Sequence, residues 1–328
     1  MDKQREAKYD RLRRAIGDTP FVQLTGIDVP NQCEIYVKEE YRNPTGSHYD
    51  REMWSLLRAL ERDRQIIPGR TWMLETTTGN SGAAFAWLCR ALDYPAPLIV
   101  IPEDMPHARR AQIESYGAEL VMSAAGQYIT GVSNTFGRTL SRYLRSRDVK
   151  TKPWSPKHWQ DETHSVQAMA ELGEEILHDA EKKHVEFDYF VLALGNGASA
   201  RGIGNVLADR DITLIGMEPA ESPVVAEFLG KSERKGGSRQ HGIIGTGPFL
   251  ESQIYPNMRE GAKLLSEIMH PNTAECAAMR TRLMDDAVQH VGMSSAGCVL
   301  AAIDYIRKYD VRRRCFGMIF YDAAWKYL

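Results

Sequence analysis

The stretch Tyr189-Phe190-Val191-Leu192-Ala193-Leu194-Gly195-Asn196-Gly197-Ala198-Ser199-Ala200-Arg201-Gly202 decides the fold. An apolar run of strand length leads into a glycine turn, and the turn opens a segment of helical composition. Backbone N–H groups at a helix N-terminus favour negative charge, so the turn is a candidate anion nest. Its spacing is not GxGxxG, and no Walker lysine followed by Ser or Thr is present, so a nucleotide fingerprint is not met. Two further turns repeat the arrangement. Thr76-Thr77-Thr78-Gly79-Asn80-Ser81-Gly82 precedes the apolar helical stretch AAFAWLCRAL, and Gly292-Met293-Ser294-Ser295-Ala296-Gly297 also enters a helix. Hydroxyls, an amide and backbone N–H groups at the first of these suit a carboxylate or phosphate. Taken singly, each is readable as a plain turn or cap. Together they mark strand-to-helix junctions, which in an open parallel sheet lie where ligands bind.

Working outward, short apolar runs at 96–101, 119–123, 189–194, 213–217 and 316–321 read as strands. Segments 105–116, 126–144, 199–208 and 294–309 read as helices. The alternation predicts βαβ units and parallel sheets. With 328 residues the chain is long enough for two domains or one large α/β unit. The least regular stretches are 145–161, a plausible crossover between two layers, and 218–256, which carries GKSERKGGSRQHGIIGTG. A long glycine-rich loop is either a binding loop or a solvated excursion.

Composition narrows the function. The apolar fraction is 43% and the charged fraction 26%, which excludes a wholly disordered, collagenous or coiled-coil chain. A formal net charge of −2 offers no general attraction to nucleic acid or anionic membrane. The basic runs at 11–14 and 312–314 lack aromatic company and read as solvated helix ends. No apolar run is long enough to span a bilayer, and the N-terminus has no apolar signal core, so a cytoplasmic protein is expected. The five cysteines are scattered with no CxxC, which predicts buried or free thiols and no metal site.

The order of segments resembles the cysteine synthase and tryptophan synthase β family of pyridoxal phosphate (PLP) enzymes, fold type II, over nearly the whole chain. Ile16-Gly17-Asp18-Thr19-Pro20 with Val22 and Leu24 is similar to the family's opening IGxTPxVxL. YVKEEYRNPTGSHYDR, residues 36–51, is similar to the strand and turn that carry the cofactor lysine. Glu75 to Gly82 resembles the substrate-carboxylate loop, and Pro102-Glu103-Asp104-Met105 with Arg109, Arg110, Gly117 and Ala118 the next helix and strand. Gly195 to Gly202 sits where the family has its phosphate cup, GTGGTxxG. Glu218-Pro219-Ala220-Glu221-Ser222 is close to VEPAES, and Ile244-Gly245-Thr246-Gly247 resembles GIGAG. Ser295-Ala296-Gly297 resembles the turn that meets the pyridine nitrogen, and Asp322 with Tyr327-Leu328 the closing PDSGERYL.

The resemblance implies an α/β fold of two parallel-sheet domains with the ligand cleft between them. It implies a smaller, mobile domain over 44–145 and a larger one from 1–43 plus 146–328. It implies β-replacement or β-elimination on a small amino acid, with a homodimer as the usual assembly. By the same resemblance Asn80, Gly195, Asn196, Gly197, Ala198, Ser199 and Ser295 would bind the cofactor. Thr77, Thr78, Gly79, Ser81, Gly245 and Thr246 would face the substrate.

The centre departs from the pattern. The family turn reads GSxKDR, and this chain reads Gly46-Ser47-His48-Tyr49-Asp50-Arg51, with Tyr49 at the lysine position. Lys38 falls where relatives also have a strand lysine, so it is not the cofactor residue. A phenol cannot form an imine, and its ordinary pKa of about 10 makes it a poor base at neutral pH. Non-covalent binding of PLP is therefore expected, with Tyr49 or His48 as an alternative base; His48 also reads as a structural or phosphate contact. Lys152 or Lys157 is a remoter candidate. In the phosphate cup, Ala198 stands where glycine is usual, Asn196 replaces Thr, and Ser199 keeps a hydroxyl. Arg201 reads equally as an anion contact or a surface residue. Three alternatives stay open: an inert pseudoenzyme serving as a regulator, a partner subunit or a small-molecule sensor, a recruited fold with PLP-independent chemistry, and an engineered lysine substitution, against which Tyr rather than Ala argues.

Overall fold

The computed structural model describes residues 1–125, 140–141, 144–145, 153–232, 240–247 and 254–328. The helix expected over 126–144 lies largely outside the described residues, as do Lys152 and residues 233–239 of the glycine-rich stretch. In chain order the first elements are α1 (Lys3–Arg13), β1 (Phe21–Gln23), β2 (Glu34–Lys38), α2 (Tyr49–Arg62), β3 (Leu74–Thr76) and α3 (Asn80–Ala91). Then come β4 (Leu98–Pro102), α4 (His107–Ser115), β5 (Glu119–Ser123), α5 (His164–Lys182), β6 (Tyr189–Ala193) and α6 (Ala198–Ala208). The chain continues with β7 (Thr213–Met217), α7 (Val224–Phe228), α8 (Pro256–Gly261) and β8 (Glu267–Met269). It closes with α9 (Thr273–Asp285), α10 (Met293–Lys308) and β9 (Cys315–Ile319).

The chain divides into two compact units. The first comprises Met1–Gly17, Asn43–His158 and Trp325–Leu328. Its sheet, in the order β3-β4-β5, is parallel throughout. The middle strand, Leu-Ile-Val-Ile-Pro, is buried along its length, as a central parallel strand covered on both faces must be. Leu74, Leu98, Val100 and Val121 form the core of this sheet.

The N-terminal helix belongs to this unit, whereas the sequence reading grouped residues 1–43 with the larger domain. The reason is a buried polar knot. The Glu61 carboxylate on α2 accepts from Tyr9 Oη at 2.9 Å and from Tyr94 Oη at 2.7 Å. Arg5 Nη2 donates to the same group at 2.9 Å, and Trp54 Nε1 donates to the Tyr9 carbonyl at 3.0 Å. The C-terminal residues also join here, through Lys326 Nζ on Gln112 Oε1 at 3.0 Å and the Arg109 guanidinium over the Tyr327 ring at 4.5 Å.

The second unit comprises Asp18–Arg42 and Trp159–Ala324. Its six-stranded sheet has the order β1-β2-β9-β6-β7-β8, with β1 antiparallel to β2 and the other pairs parallel. Lys38, at the end of β2, is fully buried. Its ammonium lies 2.8 Å from Glu175 and 2.6 Å from Asp179, one turn apart on α5, and donates to the Thr19 carbonyl at 2.6 Å. Three acceptors match its three N–H bonds. It is thus tied into the packing of β2 against α5.

Strands expected over 119–123 and 213–217 occur with those bounds, and the others shift by one or two residues at an end.

Candidate functional site

In the first unit the candidate residues sit at two helix N-termini. At α3, the Thr77 hydroxyl oxygen accepts from Gly79 N at 2.8 Å and Gly82 N at 3.1 Å, and it lies 2.8 Å from Ser81 Oγ. Thr77 thus caps the helix that the sequence assigned to a ligand, and its oxygen is occupied in that task. Gly79 has φ 136, and a Cβ there would lie 2.5 Å from Arg109 Cδ. Arg109, 1% exposed, donates from Nη1 to the Thr78 carbonyl at 3.0 Å. One turn further along α4, Gln112 Nε2 donates to the Thr45 carbonyl at 2.9 Å. A single helix therefore fixes both the 77–82 loop and the 45–50 turn. Asn80 and Thr78 remain partly exposed at the loop.

Tyr49 is the first residue of α2, with His48 as its cap. The turn before it is held by Asp50, whose carboxylate accepts from Thr45 N at 2.7 Å and from the Thr45 hydroxyl. The His48 ring lies 4.3 Å from the Tyr49 ring, and His48 Nε2 lies 3.6 Å from Glu52 Oε1. On its other side Tyr49 meets the His158 ring edge-on at 5.7 Å. His158 Nδ1 lies 3.1 Å from Oε1 of the fully buried Glu75. Neither Glu75 nor His158 was singled out from the sequence. Glu75 was read only as the first residue of the carboxylate loop, and His158 lay in an irregular basic stretch with no motif around it. The nearby Cys89 thiol is pushed far up by burial and by the Glu75 charge, so it is inert as a nucleophile.

The second unit gathers the other candidates around two more helix N-termini. Gly197, at φ 94, caps α6, and a Cβ there would lie 2.1 Å from Met258 N. Ala198 is the first helical residue and keeps a negative φ, so alanine fits where the family has glycine. The Asn196 carbonyl oxygen accepts from Ala198 N at 2.9 Å, while its amide nitrogen is buried with no hydrogen-bond partner among the described residues. Among the described residues, Ser199 Oγ donates to the soft Met169 Sδ at 3.5 Å. Arg201 is engaged with Glu162 at 3.0 Å and Asn257 Oδ1 at 2.9 Å, so it ties surface elements together.

The Gly245 carbonyl approaches to within 2.4 Å of where a Gly195 Cβ would stand, and Gly247 N donates to the Leu194 carbonyl at 2.7 Å. Thr246 turns its hydroxyl inward to the Ile243 carbonyl at 2.7 Å. Beside this turn, burial pushes His241 down to about 4, against the opposing pull of Glu221. Ser295, fully buried in the first turn of α10, accepts from Tyr321 N at 2.9 Å. Tyr321 Oη in turn accepts from Ala193 N at 3.0 Å. Tyr321 thus joins the end of β6 to the start of α10, a role the sequence gave no sign of.

These residues fit a phosphorylated pyridine. Asn196 holds an unanswered buried donor at a helix N-terminus, which is what an anion requires. Ser295 has a lone pair taken by a backbone N–H, so its proton is its remaining asset, suited to an unprotonated ring nitrogen. Among the described residues no group of three or more His, Cys, Asp or Glu could hold a metal ion, and no helix is long and apolar enough to cross a membrane.

Mostly parallel sheets whose strands run into glycine-bearing helix N-termini define an α/β fold with ligand-binding loops at the strand ends. A family model described as pyridoxal-phosphate dependent enzyme matches residues 12–315. The chain belongs to that family, and with it to the tryptophan synthase β-like α/β fold; it is an enzyme on that footing. A cysteine synthase of Staphylococcus aureus is 28% identical over 298 residues, covering 90% of this chain and 87% of that protein. A probable cysteine synthase of Bacillus subtilis is 27% identical, covering 89% and 88%. The crystal structure of a hydrogen sulfide-producing enzyme from Fusobacterium nucleatum superposes with a TM-score of 0.80 at 26% identity, covering 97% of this chain and 99% of that one.

Proposed function

We propose that this chain binds PLP without a covalent tether and acts on a small amino acid, in β-replacement or β-elimination. The observation that carries the reading is the pairing of Tyr49 at the start of α2 with a Lys38 amine that three acceptors consume. The turn that resembles the family's lysine turn therefore offers a phenol, and the nearest lysine in sequence is unable to stand in. The relatives named as cysteine synthases and the hydrogen sulfide-producing enzyme support the reaction class.

The backbone of Gly195, Gly197 and Ala198, the Asn196 amide and the Ser199 hydroxyl would hold the phosphate. Ser295 would donate to the ring nitrogen and keep the ring less protonated, which suits chemistry at the substrate β carbon. Asn80 would lie beside the ring hydroxyl. The loop of Thr77, Thr78, Gly79 and Ser81 would receive the amino-acid carboxylate at the α3 N-terminus, with Gly245 and Thr246 as a wall. When bound, the cofactor supplies an electron sink for the substrate Cα. The protein must supply the proton acceptor, from the groups around Tyr49.

The test is an absorption spectrum of the protein alone, with PLP, and with PLP plus L-serine, O-acetylserine or cysteine, alongside intact mass after borohydride. Cofactor uptake that responds to the amino acid but leaves no reducible adduct is the expected result. An adduct would mean that a lysine serves after all. No uptake under any condition would sink the reading. Tyr49→Lys is expected to gain a reducible adduct in the same assay.

A further inference from the structure

Helix α4 carries two side chains that reach, one turn apart, into different parts of the candidate site. Residues 325–328 cross the same helix and hold both. Ala108 N donates to the Leu328 carbonyl at 3.1 Å, Lys326 Nζ donates to Gln112 Oε1 at 3.0 Å, and the Arg109 guanidinium lies over the Tyr327 ring at 4.5 Å. Lys326 is 0% exposed.

The direction of these bonds is fixed. An ammonium only donates, so the oxygen of the Gln112 amide faces Lys326 and the NH2 faces the other way. There Nε2 donates to the Thr45 carbonyl at 2.9 Å, with Tyr116 Oη at 3.4 Å. Thr45, 0% exposed, passes the constraint on: its N–H donates to the Asp50 carboxylate at 2.7 Å, and its hydroxyl donates to the same group. Asp50 is the second residue of α2 and follows Tyr49 directly. Every link from Lys326 to the Tyr49 turn is thus a hydrogen bond between buried groups. Arg109 acts on the other part. Its Nη1 donates to the Thr78 carbonyl at 3.0 Å, and its Cδ stands 2.5 Å from where a Gly79 Cβ would be, so the arginine stem fills the space the glycine leaves.

We propose that Gln112 and Arg109 are positioning residues with separate duties. Gln112 sets the turn that presents Tyr49, and Arg109 sets the loop that receives the substrate carboxylate. Each acts through a main-chain carbonyl, on Thr45 and on Thr78. The distance between the two parts is then governed by one turn of α4. The duties rest on the amino-acid reading above; the two anchors do not.

The test begins with the cofactor-free protein and amide hydrogen exchange, read by mass spectrometry over residues 43–52 and 76–84. Gln112→Glu keeps the shape of the side chain and an acceptor for Lys326 but removes the donation to Thr45. It is expected to speed exchange in 43–52 by roughly tenfold and to leave 76–84 unchanged. Arg109→Met keeps the stem and removes the donor to Thr78, and the same gain is expected in 76–84 alone. Should either not fold, Gln112→Met or Arg109→Lys takes its place, and each variant carries the other segment as its control. Exchange that rises in both segments together, or in neither, would overturn the proposal. A second readout adds PLP and the amino acid. Gln112→Glu should lower kcat about tenfold with KM little changed, and Arg109→Met should raise KM about tenfold with kcat little changed. Loss of packing alone would move both constants together in both variants, and that result would overturn the division of duties. Selective exchange in a protein that takes up no cofactor would uphold the anchors and overturn the PLP reading.

Discussion

The two units handle their candidate ligand groups by different physical means. In the second, the working parts are backbone and neutral polar groups: Gly195 and Gly197 at close approach to other main chain, the Asn196 amide and the Ser295 hydroxyl. In the first, buried ionisable side chains crowd one place: Glu75, His158, His48 and Glu52, with Tyr49 among them. A fixed anion and a neutral ring are best met by preorganised dipoles. A moving proton needs groups that titrate. Tyr49 falls in the unit that holds the titrating groups.

The sharpest way to break this contrast is at a glycine. Gly197→Ala should destabilise by about 3 kcal/mol or more, because Cβ meets main chain at 2.1 Å in addition to the strain of φ 94. Gly117→Ala in the first unit shares a positive φ of 88 but meets open space, and should lose only about 1 kcal/mol. Denaturant unfolding of the two variants checks the difference, and equal losses would mean that the cup is not close-packed.

His241 is the exception in the second unit, a buried imidazole beside the Glu221 carboxylate. Its folded pKa of about 4 lies below its unfolded value of about 6.5, so its contribution to stability is complete above pH 6.5. As pH falls toward 4 the unfolded chain takes up a proton that the fold refuses, and about 3 kcal/mol is lost across that window. His241→Asn should flatten the acid limb of stability against pH; an unchanged limb would place the loss elsewhere.

Thr77→Val removes the oxygen that accepts from two backbone N–H groups, and should cost about 2 kcal/mol in unfolding experiments. A loss in amino-acid affinity with stability intact would instead make Thr77 a ligand group. Arg201→Gln should have the smallest effect, under about 1 kcal/mol, since its pairing with Glu162 is partly exposed. A marked fall in PLP affinity in that variant would bring Arg201 back into the phosphate site.

The legible parts of the fold were those with local causes. β5 and β7 declare themselves as short segments with apolar centres bounded by turn residues. β8 is three residues long, too short for any period to show, and the sequence reading passed over it. The site divides in the same way. The glycine turns are local signals, so residues 76–82, 195–202 and 292–297 stood out. The Glu75–His158 pair joins residues 83 positions apart with no spacing rule between them. The roles of Tyr321 and Glu61 are equally non-local, since each exists only after distant strands or helices have packed. Residues 1–17 were grouped with the other unit because their attachment runs through side chains such as Arg5, Glu6, Lys8, Tyr9 and Trp54, and through no strand pairing.

The place of β9 has a consequence for synthesis. The last strand of the chain lies between β2 and β6, near the middle of its sheet. Until residues 315–319 leave the ribosome, two partial sheets wait with their inner edges unpaired, open to association with other strands. The bond from Tyr321 to Ser295 is also deferred to that moment. The six-stranded sheet therefore closes only once β9 has been made. A chain stopped before Cys315 should bind hydrophobic dyes and holdase chaperones, where the full chain does not.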